Sequence, residues 1–402
     1  MEINSVNIKE IIQKNRPNMA FIIGNGIHYQ YKDCDISWNG LLTSLWEEFF
    51  GEKLEIPQGI STTEFFDIIE MNFYKNNNYV SNPNKIKSHT VKITDLPDVK
   101  SDDLVQIMFK LASKSSNTNI VNNNTIEEFR EKHKKFVENC RIWCENNIED
   151  TANLTNEDCV FQVLDVLSNG TKKQILTNAI KKTVVKKFPS KEEYGLRKCI
   201  EGIKRLNTPI LTTNFDTYIS DSVNATLHKL KPIDNQYIFT DFYPWNMYYS
   251  DREIDNPLSG FAVWHINGTR EYPRSIRLGL SDYMGSVERA RKMIQGNSLG
   301  EYFTGKNQTY WKGYNTWLHI IFNKSLFIFG LGLEENEVFL RWLLIQRAKY
   351  FRMYNKTFEG WYVDKEIKVG KRFFLEQLGF KVIDISDYET LYQALKNYEV
   401  QI

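Results

Sequence analysis

Four apolar runs of strand length, each stopping at a glycine or an amide side chain, constrain this chain most. Met19-Ala-Phe-Ile-Ile23 stops at Gly24-Asn25-Gly26, and Pro209-Ile-Leu-Thr-Thr213 stops at Asn214-Phe215-Asp216. Phe261–Ile266 stops at Asn267-Gly268, and Ser325–Phe329 stops at Gly330-Leu331-Gly332. A fifth run, Phe380–Ile385, precedes a helical pattern from Tyr388 to Tyr398. Apolar runs without polar alternation suit strands covered on both faces, and helical patterns lie between them. The expected class is α/β: a Rossmann-like parallel sheet flanked by helices.

The helical patterns set the organisation. Residues 7–15 read as an opening helix. Ser37 is a suitable N-cap for a helix whose apolar face holds Leu41, Leu42, Leu45, Trp46 and Phe49. Residues 56–202 change character. Stretches 72–101 and 113–125 are rich in Asn, Lys and Ser and read as loops. Helical periodicity marks Ile126–Asn147, Val160–Leu167, Lys172–Val185 and Tyr194–Leu206. The chain is therefore expected to form one α/β domain from residues 1–55 and 203–402, interrupted by a helical insertion at 56–202.

Composition narrows the function classes. The net charge is +1, so nothing global draws the chain to nucleic acid or an anionic membrane, and direct nucleic-acid binding is not expected. The basic run Arg270–Arg277, with Arg289, Arg291 and Lys292, fits contacts to phosphate groups or nucleic acid, but reads first as a solvated helix face. No run reaches the ~18 apolar residues of a membrane span, and no signal-peptide pattern is visible. The 5 cysteines are scattered, which points to a reducing, cytoplasmic setting. Cys140 and Cys144 sit on one helical pattern, but no second pair completes a zinc site, and no metal is expected. Trp311, Trp317, Trp342 and Trp361 are candidates for core or for an oligomer interface.

Ligands of open parallel sheets bind outside the carboxyl ends of the strands. The polar and glycine residues named above stand at those ends. Gly24-Asn25-Gly26 fits either a turn that admits a phosphate or a plain tight turn. No strand ending in Asp or Glu follows about 20 residues later, which counts against a hydride-transfer enzyme. Asn214 and Asp216 fit either a polar site or a turn capping the next helix. His265 fits either a core histidine or a base near neutral pH.

Together and in this order, the segments resemble the sirtuin-like family, in particular the NAD hydrolases of bacterial antiphage defence. The similar segments are Gly24–His28 with Ser37–Leu42, Thr212-Thr213-Asn214-Phe215-Asp216, His265-Ile266-Asn267-Gly268 with Ser275–Tyr283, and Phe329–Leu333 with Glu334, Glu337 and Arg341. The paired Cys-x-x-Cys zinc ribbon of the deacylating members is absent. Asn25 stands where a small residue is usual, and His28 or its neighbours where a Ser is usual. The Asn25 form of the loop is similar to members that work with a HerA-type ATPase.

The resemblance implies NAD as substrate, cleavage of its nicotinamide–ribose bond, and NAD depletion as a defence. It implies that Asn214 orients the water or the ribose, that His265 is the base, and that Asp216 lies near the nicotinamide or the developing cation. Gly24, Asn25 and Gly26 would hold the pyrophosphate by backbone N–H groups, and Thr213 would join the NAD contacts. Gly330 and Gly332 would shape the adenosine side, with Glu334 or Ser281-Asp282 beside it. A homo-oligomer and a HerA-type ATPase or helicase partner are further implications. The alternative reading is a non-catalytic sensor of NAD or ADP-ribose, or an assembly subunit of a defence complex.

Overall fold

The computed structural model describes residues 5–28, 37–76, 134–147, 194–231, 239–295, 311–355 and 358–396, with single positions between 156 and 180. The chain divides into two compact units, Met1–Asp67 with Ile180–Ile402, and Ile68–Ala179.

The first unit is an α/β sheet domain. Helix α1 (Ser5–Asn15) leads into β1 (Met19–Ile23), and α2 (Trp38–Phe50) and α3 (Thr62–Asn76) follow. The α3 helix crosses from the first unit into the second. The second unit also holds α4 (Lys134–Asn147). The expected helices at 160–167 and 172–185 and the loops at 77–101 and 113–125 lie mostly or wholly outside the described residues. Residues 72–76, expected in a loop, close α3 instead, because Phe65, Phe66, Ile69 and Phe73 give it a continuous apolar face.

The chain then runs through α5 (Tyr194–Leu206), β2 (Ile210–Thr212), α6 (Tyr218–Asp221), β3 (Thr226–Lys229), β4 (Met247–Ser250) and β5 (Val263–His265). It ends with α7 (Leu280–Gln295), α8 (Leu318–Asn323), β6 (Ser325–Phe329), α9 (Val338–Tyr354), β7 (Gly360–Asp364), α10 (Val369–Gln377), β8 (Phe380–Asp384) and α11 (Tyr388–Lys396).

Eight strands form one sheet in the order β3-β4-β5-β2-β1-β6-β7-β8. The six from β5 to β8 are parallel, as expected. The pair β3 and β4 is antiparallel and extends the β5 edge, so the sheet is mixed. Both added strands span only four positions, Thr-Leu-His-Lys in β3 and Met-Tyr-Tyr-Ser in β4, and so carry no long apolar run. Numbered by chain order, the parallel strands read 3-2-1-4-5-6, the order of doubly wound dinucleotide-binding sheets. Strand order reverses between β1 and β6.

Alternation along the central strands gives each face its own core. Ala20, Ile22, Leu211, Trp264, Ile328 and Tyr362 pack on one face with residues of α7, α8, α9 and α10. Met19, Phe21, Ile23, Ile210, Phe327 and Val363 pack on the other with α1, α5 and α11. Each of the larger aliphatic and phenylalanine side chains contributes about 1.5–3 kcal/mol by leaving water. The candidate surface tryptophans belong here. Trp311, Trp317 and Trp361 are buried, and Trp342 is partly buried against the first core.

The register aligns the strand ends. His265 pairs with Thr212, Thr212 with Ile23, Ile23 with Phe329, Phe329 with Val363 and Val363 with Ile383. This row ends the parallel sheet on one line, so the loops that follow rise from a common edge.

Candidate functional site

Between β1 and β6 two glycine turns press on each other. The Gly26 N–H donates to the Gly330 carbonyl at 2.6 Å, and the Gly24 N–H donates to the Phe329 carbonyl at 3.2 Å. A Cβ at Gly24 would lie 2.5 Å from the Gly330 carbonyl oxygen, and one at Gly26 would lie 2.8 Å from the Gly330 Cα. Gly330 itself has a φ of 61°. Glycine is therefore required here by backbone packing. Both N–H groups are used within the protein. The pyrophosphate contact expected of Gly24 and Gly26 N–H groups does not match this bonding.

Above this seam lies a cavity of about 370 Å³. Of the expected ligand contacts, Asn25, Gly26, Thr213, Gly330 and Gly332 line it. Trp38, Tyr283, Glu337, Asp364 and Tyr388 join the wall, as do Thr62 and Asn336, whose amide donates to the Thr62 hydroxyl at 2.6 Å. Ser37 caps α2 as expected by accepting from the Gly40 N–H at 3.0 Å, which places Trp38 at the opening of the helix. The Trp38 ring stacks on Tyr283 at 6.3 Å and tilts against Phe215 at 5.6 Å. Lys371 donates to the Gly332 carbonyl and to Glu334, and Tyr362 donates to the Leu331 carbonyl, so β7 and α10 hold the glycine loop in place.

Asn214, Asp216 and His265 do not line the cavity. They form a buried polar cluster at the ends of β2 and β5. Thr212 prepares it: its hydroxyl donates to the Ile23 carbonyl at 2.9 Å and accepts from the Asn214 N–H at 3.1 Å. The His265 Nδ1 lies 2.7 Å from the Asn214 backbone oxygen. A carbonyl only accepts, so Nδ1 carries the proton and Nε2 is left as the basic nitrogen. Nε2 is buried and has no hydrogen-bond partner among the described residues. Burial is the largest influence on this ring and pushes its pKa below the ordinary value; the Asn214 carbonyl and Asp216 oppose it only partly. His265 is neutral at pH 7.

The Asn214 side chain meets a residue that sequence patterns did not single out as a site group. Its amide lies 3.1 Å from His28 Nε2, and the same Nε2 lies 3.4 Å from Asp216 Oδ2. One ring nitrogen cannot accept from an amide N–H while donating to a carboxylate. The Asn214 amide, at hydrogen-bond distance, takes this nitrogen, and the longer approach of Asp216 Oδ2, which has no hydrogen-bond partner among the described residues, is a charge contact. Asp216 also accepts from the Tyr218 N–H at 2.8 Å, the helix-capping role open to it from sequence. Burial alone would raise the Asp216 carboxyl, but His28, the Tyr218 amide and His265 together hold it below the ordinary carboxylate value.

The turn after His265 is fixed by Gly268 at φ 98°, a left-handed conformation in which a Cβ would strike the Ser275 carbonyl. The Ser275 hydroxyl accepts from the Thr269 N–H at 3.0 Å. Arg277 is buried and pairs with Asp282 at 3.3 Å, while its guanidinium covers the Tyr243 ring. It therefore belongs to the fold and not to an exposed basic patch.

No protein-family model matches the chain, and no curated protein matches it.

Proposed function

We propose that this protein is an NAD hydrolase that cleaves the nicotinamide–ribose bond. The observation that carries the reading is the state of His265, a neutral, buried imidazole with its proton fixed on Nδ1 and its Nε2 lone pair uncommitted. It stands on β5, with β2 and β1 between it and the point where strand order reverses, and a cavity of about 370 Å³ lies at that reversal. A dinucleotide fits such a place by the general rule for doubly wound sheets.

The chemistry asked of the residues is modest. The C1′–N bond breaks as its electron pair returns to the cationic nicotinamide ring, through an oxocarbenium-like state. Water adds to C1′, and its proton passes to His265 Nε2. Such a base contributes about 10²–10⁴-fold. Asn214 orients the water or the ribose hydroxyls, and the Asp216 carboxylate stabilises developing positive charge. Nicotinamide and ADP-ribose leave. The resemblance to antiphage-defence hydrolases supports a role in NAD depletion, a cytoplasmic setting, self-assembly and a HerA-type ATPase partner. Among the described residues no helix is long and apolar enough to cross a membrane.

A second reading has its own support. Asn214 and His265 are 5% and 6% exposed, and neither reaches the cavity wall. A cavity separated from the polar cluster suits a sensor that binds NAD or ADP-ribose without turnover. Incubation of the purified protein with NAD, alone and with a candidate ATPase, followed by chromatography of nicotinamide, separates the two. Release of nicotinamide that His265→Ala abolishes supports the hydrolase. Saturable binding without release in either condition supports the sensor.

A further inference from the structure

Three carboxylic acids and no basic side chain line the cavity among the described residues. Glu334, Glu337 and Asp364 face it, and no Lys, Arg or His does. Two of the acids are occupied. Glu334 pairs with Lys371 at 2.7 Å and Lys368 at 3.4 Å. Asp364 accepts from the hydroxyl of Tyr388 at 2.5 Å. Arg341, the cation that follows on α9, spends its guanidinium on the Leu333 carbonyl and the Phe374 ring.

Glu337 differs. Its Oε2 is buried and has no hydrogen-bond partner among the described residues. A buried carboxyl oxygen without a partner costs free energy that a ligand hydroxyl would recover. Burial pushes its pKa up to about 7, so near neutral pH it can donate or accept. A sugar hydroxyl offers both a donor and an acceptor and satisfies either state. A phosphate in its place would set two negative charges beside Glu337 and Asp364, while the nearby cations Lys371 and Lys368 are already held by Glu334.

We infer that Glu337 is a specificity residue that takes a hydroxyl of the nucleoside half and makes the cavity select a dinucleotide without a 2′-phosphate. This rests on the dinucleotide reading above and adds to it the choice between the plain and the 2′-phosphorylated form.

The test is calorimetric titration at pH 8 with two ligands that cannot be hydrolysed at the nicotinamide bond, ADP-ribose and its 2′-phosphate. Wild type should bind ADP-ribose at least about tenfold more tightly, a ratio within the reach of one uncompensated charge contact. Glu337→Gln, which keeps size and hydrogen bonding, should shrink that ratio several-fold, mainly by improved binding of the 2′-phosphate. Thermal unfolding of Glu337→Gln checks that it folds, and Glu337→Asp should retain the wild-type preference. Equal binding of both ligands by wild type, or an unchanged ratio in folded Glu337→Gln, overturns the inference and leaves the dinucleotide reading standing. Binding of neither ligand overturns that reading and this inference with it.

Discussion

The Nδ1 of His265 lies 2.7 Å from the backbone carbonyl oxygen of Asn214, so two distant segments meet through main chain and ring and not through their two side chains. The contact fixes the tautomer. It also makes the imidazole dependent on the turn that follows β2. His265→Ala should lower nicotinamide release by about 10²–10⁴-fold. Affinity for ADP-ribose, measured by calorimetry, should change little. Full turnover in that variant would remove His265 from the chemistry.

The pH profile follows from the same ring. The neutral form is the active base, and its pKa is lowered by burial. Activity should therefore hold a plateau from alkaline pH down past about 6.5, the ordinary histidine value, and fall only at lower pH. A rate that already halves at or above that value would contradict the buried, neutral state.

His28 is predicted to orient Asn214 through its direct contact with the amide. Replacing His28 by Asn keeps a polar group but loses the ring that spans the two contacts of 3.1 and 3.4 Å. The expected result is a drop in kcat with KM nearly unchanged, because the ligand cavity is not lined by His28. A KM increase with kcat intact would place His28 in ligand binding instead.

Acid should destabilise the fold through His319. Trp311 Nε1 donates to its Nδ1 at 3.0 Å, and burial pushes the ring pKa down to about 3. In the unfolded chain the ring titrates near its usual ~6.5. Between those values the unfolded state binds a proton that the folded state refuses. Stability is complete above the upper value and falls as pH drops below it, by about 1.4 kcal/mol per pH unit. Urea midpoints at several pH values test this, and His319→Gln should flatten the slope.

Arg347 should prove the most costly single side chain of α9. It is buried, and its guanidinium donates to the carbonyls of Ile321, Lys324, Phe358 and Glu359. Arg347→Met leaves those oxygens without their donor. The expected loss is about 2–5 kcal/mol in chemical denaturation. A loss below about 1 kcal/mol would mean that water or rearranged backbone satisfies them.

Much of the fold was readable because the central strands are pure apolar runs. Met19–Ile23 and Ser325–Phe329 match β1 and β6 residue for residue, since burial on both faces leaves no room for polar interruption. Gly360–Asp364 escaped notice because its five residues open on glycine and end on Asp364. Strand β3 escaped because it is an edge strand facing solvent and carries residues such as His228 and Lys229, and β4 because its four residues are too short a run. At the site, residue types at strand ends pointed to Asn214, Asp216 and His265. The bond from His28 to that cluster, and the entry of Trp38, Tyr283 and Glu337 into the cavity wall, depend on three-dimensional convergence that no spacing encodes.

The seam of Gly24, Gly26 and Gly330 also limits how this protein can diversify. The two strands are riveted where a ligand would otherwise pry them apart, and no side chain can be inserted without shifting backbone. New ligand preferences must therefore arise on the surrounding rim, at positions such as Trp38, Asn336 and Tyr388, while the floor stays invariant.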